Sequence, residues 1–185
     1  MRIVGGAHRG RKLFAPEGAT TRPTAERVRE ALFDILSARV EGALVLDLYA
    51  GTGAVGLESL SRGAAACVFV EKGTRALAAL RKNIELVGVG ETSRVLAVDA
   101  ALALERLEKE GSVFDLILCD PPYADPHWPI HLAELGRNLL LAPGGRLVVE
   151  HAAKVPPKCP EGLEQGRSYK YGDSGLTVFI RDGSR

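Results

Sequence analysis

Cysteine is scarce in this chain. Its three residues, Cys67, Cys119 and Cys159, lie far apart with no CxxC pair, which argues against a disulfide framework or a cysteine zinc site. The four histidines (His8, His127, His131, His151) show no ligand spacing, so no metal is expected. No apolar run approaches the roughly 20 residues that span a membrane. The opening MRIVGGAHRGRKL has no apolar stretch of the kind that marks a secretory signal. Internal repeats, low-complexity tracts and long linkers are also lacking. These absences leave an ordinary globular composition, expected in the cytoplasm, away from membranes. A length of 185 residues with 46% hydrophobic content suits one sizeable core, so residues 1–185 read as a single domain.

Charge is present but unevenly spread. Net charge is only +1, yet residues 1–29 hold seven Arg or Lys against Glu17 and Glu26, while the remainder carries 17 basic and 21 acidic residues. Such a basic N-terminal extension, residues 1–23 at its core, suits an anionic partner met at one end. A merely solvated tail fits the same charges. Gly5, Gly6, Gly10 and Pro16 make this arm a loop or short hairpin.

From Thr24, a suitable N-cap, Val28, Ala31, Leu32, Ile35 and Leu36 recur at helical spacing. Strands are then expected at the apolar run ALVLD, at 67–71, 94–99, 113–119 and 146–151. Helices are expected from Ala54 and over 75–87, 101–109 and 131–141, with Pro143-Gly144-Gly145 as a turn. Near-continuous apolar strands alternating with helices indicate a doubly wound, mostly parallel α/β sheet covered on both faces. The tail, LEQGRSYKY and GLTVFIRD around Gly172-Asp173-Ser174, reads as a closing hairpin and brings the count to seven strands.

Ligands of such sheets bind beyond the carboxyl ends of the strands. Acidic residues stand at four of those ends: Asp47, Glu71, Asp99 and Asp120. Tyr49 and the glycine turn Gly51-Thr52-Gly53 follow the first strand, and Gly51 to Gly56 matches GxGxxG with Glu71 twenty residues on. A nicotinamide-dependent oxidoreductase shares that pattern. Two features favour S-adenosylmethionine instead. Asp47 would oppose a pyrophosphate but suits a cationic amino-acid ligand, and the chain has no second domain for a dehydrogenase substrate. Asp99, directly before Ala100, can accept from an adenine amine, cap a helix, or do both.

The fourth strand runs into Cys119-Asp120-Pro121-Pro122-Tyr123. Proline cannot continue a ladder, and each proline holds the residue before it extended. A carboxylate on Asp120, a fixed carbonyl on Pro121 aimed by Pro122, and a stacking ring on Tyr123 together suit an exocyclic nucleobase amine. Two acceptors on its N–H bonds favour the more tetrahedral nitrogen that methyl transfer needs. A base inside a duplex cannot reach such a pocket, so its target is single-stranded, looped or flipped out. Trp128, the only tryptophan, can wall that base or anchor the next helix.

With DPPY at the fourth strand end, the sequence resembles the Rossmann-like class I S-adenosylmethionine-dependent methyltransferases, whose sheet carries a reversed last strand. RIVGGAHRGRKL, RPTAERVREALFDIL, LDLYAGTGAVGLESLSRGA, DPPY and YGDSGLTVF, in that order, are similar to the RsmD type of 16S rRNA guanine-N2 methyltransferase. The resemblance implies methylation of one guanine N2 in rRNA of the small ribosomal subunit. It also implies a cofactor site with Gly51 and Gly53 lining, Glu71 on the ribose, and Asp99 with Ala100 near the adenine. Arg22 and Thr24 would border the methionine end, Arg22 reaching its carboxylate. Asp120 and Tyr123 would flank the amine, and Arg9, Arg11, Lys12, Arg22 and Arg27 would contact rRNA phosphates. A monomer is expected. Adenine-N6 or cytosine-N4 methylation fits DPPY equally, and a non-catalytic RNA-binding assembly factor is the reading outside enzymes.

Overall fold

The computed structural model describes residues 1–16, 23–122 and 125–183, with the side chains of Pro23, Thr24 and Ala25 also outside the description. Seven strands form one sheet: β1 (Leu44–Asp47), β2 (Ala66–Val70), β3 (Ser93–Leu96), β4 (Phe114–Cys119), β5 (Leu141–Ala152), β6 (Glu164–Tyr171) and β7 (Ser174–Ile180). Their order is β3-β2-β1-β4-β5-β7-β6, and β7 alone is reversed, lying antiparallel to both β5 and β6. Among the described residues five α-helices accompany them: α1 (Pro23–Leu36), α2 (Ala54–Ser61), α3 (Thr74–Val87), α4 (Ala100–Lys109) and α5 (Trp128–Arg137).

Side chains alternate along each central strand, so each strand feeds two cores. Val45, Leu116, Leu118 and Val148 pack with Val28 and Phe33 of α1, Leu57 of α2 and Leu80 of α3. Leu46, Ile117, Cys119 and Val149 pack on the opposite face with Leu104 and Leu107 of α4 and Leu132 and Leu135 of α5. Double burial explains why these strands read as unbroken apolar runs.

Several boundaries differ from the sequence expectation. Helix α1 includes Pro23, which suits a first turn whose N–H needs no partner, so Thr24 falls inside the helix instead of capping it. Helix α5 starts at Trp128, with Pro129 tolerated in the same way, and ends at Arg137 instead of Leu141. Asn138 turns extended there and its Oδ1 receives the Leu140 N–H at 3.2 Å, sending Leu141 into β5 beside Phe114. Pro143-Gly144-Gly145 is no turn. It lies within β5, where pairing with β4 shifts register between Phe114 and Leu116 and Gly144 takes φ +74°. Strand β3 stops at Leu96, leaving 97–99 to leave the sheet toward its carboxyl end.

The described part of the basic arm, residues 1–16, is docked. Arg2 bridges Lys12, and Ile3 and Leu13 are buried in the α1–α3 core. Glu58 of α2, fully buried, accepts the N–H of Val4 at 2.8 Å and of Gly5 at 2.7 Å, and meets Arg62 at 2.8 Å and Arg29 at 3.7 Å. Buried Asn83 of α3 accepts from Phe14 N–H at 2.7 Å and donates to the carbonyls of Phe14 and Thr52 at 3.0 and 2.9 Å. That one amide ties the arm to the glycine turn after β1.

Candidate active site

Strand order reverses between β1 and β4, so the loops after them diverge and leave a crevice at the carboxyl ends. A cavity of about 840 Å³ opens there. One half is built after β1, β2 and β3. Gly51 adopts φ +55° and Gly53 φ +82°, the left-handed region that glycine enters without strain. A Cβ on Gly51 would project into open space at the cavity wall, whereas one on Gly53 would lie 2.4 Å from Leu80 Cδ1. The first glycine therefore clears the cavity and the second allows the turn to press on α3.

Glu71, just past β2, accepts the Gly51 N–H at 2.8 Å and also the Gly73 N–H. Each carboxylate oxygen keeps a lone pair for a ligand, and the residue lines the cavity. Asp99 caps α4 by accepting the Leu102 N–H at 2.9 Å and, with Ala100, lines the same wall. Asp47 and Gly53 stand behind the lining. The Asp47 carboxylate is buried and receives the Gly56 N–H at 2.9 Å, bracing the turn from beneath. Burial pushes its pKa up to about 7, against the opposing effect of the Gly56 bond, with Glu71 adding a smaller upward push.

The other half follows β4 and β5. Asp120, Pro121 and Pro122 line the cavity, with Pro121 buried against the sheet and Asp120 and Pro122 open to it. Removal from water, then Glu150, then Asp47, hold the Asp120 carboxyl above the usual carboxylate range. Its access to cavity water moderates the first of these causes; the two neighbouring charges act in the same direction. Glu150, which sequence reasoning passed over, lines the cavity beside it. Tyr49 donates or accepts at 2.7 Å with His131 Nδ1, and burial raises its phenol pKa further, so the hydroxyl keeps its proton. Trp128 packs partly buried against the α4–α5 core, the position that suits an anchor of α5. Arg29 and Leu32 of α1 also line the cavity.

Arg22 and Tyr123 lie outside the described residues, as does the Thr24 side chain. Among the phosphate-contact candidates, Arg9, Lys12 and Arg27 are exposed. Arg11 is exposed as well, and its Nη1 donates to the Leu86 carbonyl at 2.6 Å, where a cation complements the last carbonyls of α3. No metal-ligand cluster exists among the described residues.

The strand order, the single reversed strand and the cavity at the β1/β4 switch define the class I methyltransferase fold. Within it, the chain belongs to the family described as conserved hypothetical protein 95, whose model matches residues 1–180. It is 32% identical over 184 residues to YlbH of Bacillus subtilis (strain 168), provisionally named an rRNA methyltransferase, covering 99% of this chain and 100% of that protein. It is 39% identical over 123 residues to ribosomal RNA small subunit methyltransferase D of Escherichia coli (strain K12), covering 66% of this chain and 60% of that protein. The solved structure of yhhF from Escherichia coli, provisionally named a methyltransferase, superposes with TM-score 0.86 at 32% identity over 100% of this chain and 99% of that one. The resemblance to the RsmD type stands.

Proposed function

We propose that this protein transfers a methyl group from S-adenosylmethionine to the exocyclic N2 of a guanine in small-subunit rRNA. The observation that carries the reading is Asp120. It ends β4 at the wall of an 840 Å³ cavity whose other half offers the glycine turn, Glu71 and Asp99. Those residues fit the cofactor: Gly51 leaves room where any side chain would intrude, Glu71 keeps lone pairs for ribose hydroxyls, and Asp99 with the Ala100 N–H suits an adenine edge. When bound, S-adenosylmethionine supplies an electrophilic methyl on a sulfonium sulfur, which leaves with the bonding electrons as nitrogen takes the carbon.

This chain does the rest by position. The Asp120 carboxylate and the Pro121 carbonyl accept the two N–H bonds of the amine, favouring a tetrahedral nitrogen with its lone pair directed at the methyl. The raised pKa of Asp120 suits it to hold the proton that the methylated nitrogen sheds. Tyr123 serves as the stacking ring, as the resemblance implies. Arg9, Lys12 and Arg27, with Arg22, hold phosphates of a loop in the small subunit, the arm 1–23 acting as an extension of a single methyltransferase domain. A monomer meeting ribosomes in the cytoplasm fits this assignment. Transfer of tritiated methyl to small subunits, followed by nucleoside analysis, tests it. N2-methylguanosine is the expected product; N6-methyladenosine, N4-methylcytidine or no transfer overturns it.

A further inference from the structure

Strands β4 and β5 pair with Cys119 opposite Val149, so Asp120, just past the end of β4, follows one step beyond the pair that Glu150 also follows on β5. Leu118 and Val148 point into one core, Cys119 and Val149 into the other. By that alternation Asp120 and Glu150 share one face, and both line the cavity. Strand β5 continues to Ala152, since β7 pairs with it through Ser174, so the Glu150 backbone is held by its pairing with Leu176 of β7. A carboxylate on a strand in mid-ladder is placed with little freedom.

Two neighbouring carboxylates at one wall make a pair of acceptors that favours a ligand carrying two adjacent donors. Glu150 is the leading charge acting on Asp120. The Watson–Crick edge of guanine presents two adjacent donors, the ring N1–H and the exocyclic N2–H. Adenine and cytosine instead place an acceptor nitrogen next to their exocyclic amine, where a carboxylate would oppose it. We infer that Glu150 is a specificity-determining residue whose carboxylate accepts the N1–H of the target guanine while Asp120 accepts from its N2 amine. This inference rests on the guanine-N2 reading above, and it gives that reading a basis in this chain's own side chains. Neither relatives' names nor DPPY distinguishes the base; a second acceptor beside Asp120 does.

2-Aminopurine provides the probe, because it keeps the 2-amine but presents an acceptor at N1. Small subunits reconstituted with guanine or 2-aminopurine at the modified nucleotide are methylated by the wild type and by Glu150→Gln. Wild type is expected to favour guanine by on the order of 10²-fold or more in kcat/KM, since a site built for a donor rejects the analogue lacking it. A glutamine amide can turn its NH₂ toward an N1 acceptor. Glu150→Gln is therefore expected to lose guanine transfer and gain 2-aminopurine transfer, moving the ratio by about 10²-fold. Equal use of both bases by wild type, or an unchanged ratio in a variant that still binds adenosylhomocysteine, overturns the role of Glu150 alone. If that variant fails to bind adenosylhomocysteine, the wild-type ratio decides. Wild-type methylation of adenine or cytosine overturns the guanine reading itself, and it is seen before any variant is made.

Discussion

On the β2–β3 side of the rim, Glu71 accepts the Gly51 N–H at 2.8 Å and Asp99 the Leu102 N–H at 2.9 Å. On the β4–β5 side, the Asp120 carboxylate faces Glu150 and lies above the usual carboxylate range. The first pair is neutralised by backbone dipoles, so its geometry is set before any ligand arrives. In the second pair the Glu150 charge pushes the Asp120 carboxyl up, and donors on a ligand lessen that push. A site that must bind one molecule and transform another gains from this division: fixed acceptors hold the cofactor, and poised acceptors act on the amine.

The largest expected effect comes from the poised half. Asp120→Ala should lower methyl transfer about 10³-fold, the scale for removing a preorganised group at developing charge. Adenosylhomocysteine affinity, read by calorimetry, should change less than about threefold. Parallel losses of transfer and affinity would show that the two halves do not act separately. The converse variant sharpens the same division. Glu71→Ala leaves the Gly51 and Gly73 N–H groups without their acceptor, a cost of about 1–3 kcal/mol. Adenosylhomocysteine should then bind roughly ten- to a hundredfold more weakly. An unchanged affinity would remove Glu71 from the cofactor wall.

Much of this division can be read from the sequence, because strand ends and ligand sites coincide in a parallel sheet. Glu71, Asp99 and Asp120 all follow short apolar runs, and all three line the cavity. Glu150 escapes the same rule for a topological reason. Antiparallel pairing with β7 extends β5 past the rim to Ala152, so no strand end marks the position. Asp47 does end its strand, yet the turn curls back so that Gly56, nine residues on, takes its carboxylate. That closure is invisible in a linear pattern. The arm is legible only in outline. Its glycines suggest a loop or short hairpin, which the antiparallel Arg2–Lys12 bridge bears out, while the burial of Ile3 and Leu13 and the anchor on Glu58, more than fifty positions away, appear only in the fold. Arg11, which the family resemblance places on rRNA phosphates, also reaches the last turn of α3, a contact that only folding brings near.

Asp47 lies beneath both halves, and its charge raises Asp120 while Glu71 raises Asp47 in turn. The smallest expected effect tests whether this link costs stability. Its folded pKa of about 7 exceeds the ordinary carboxylate value of ~4, so between those limits the folded state holds a proton that the unfolded chain has released. Stability from this group is therefore full below ~4, declines as pH rises, and is lost once pH passes about 7. Over that window the decline can reach about 4 kcal/mol if nothing relaxes. Asp47→Asn keeps an oxygen for the Gly56 N–H but cannot titrate. Urea unfolding at pH 5 and pH 8 should show the variant gaining on the wild type as pH rises, after the decline shared by all other groups is subtracted. Parallel curves would mean that Asp47 ionises freely, and that its negative charge is not what couples the cofactor turn to Asp120.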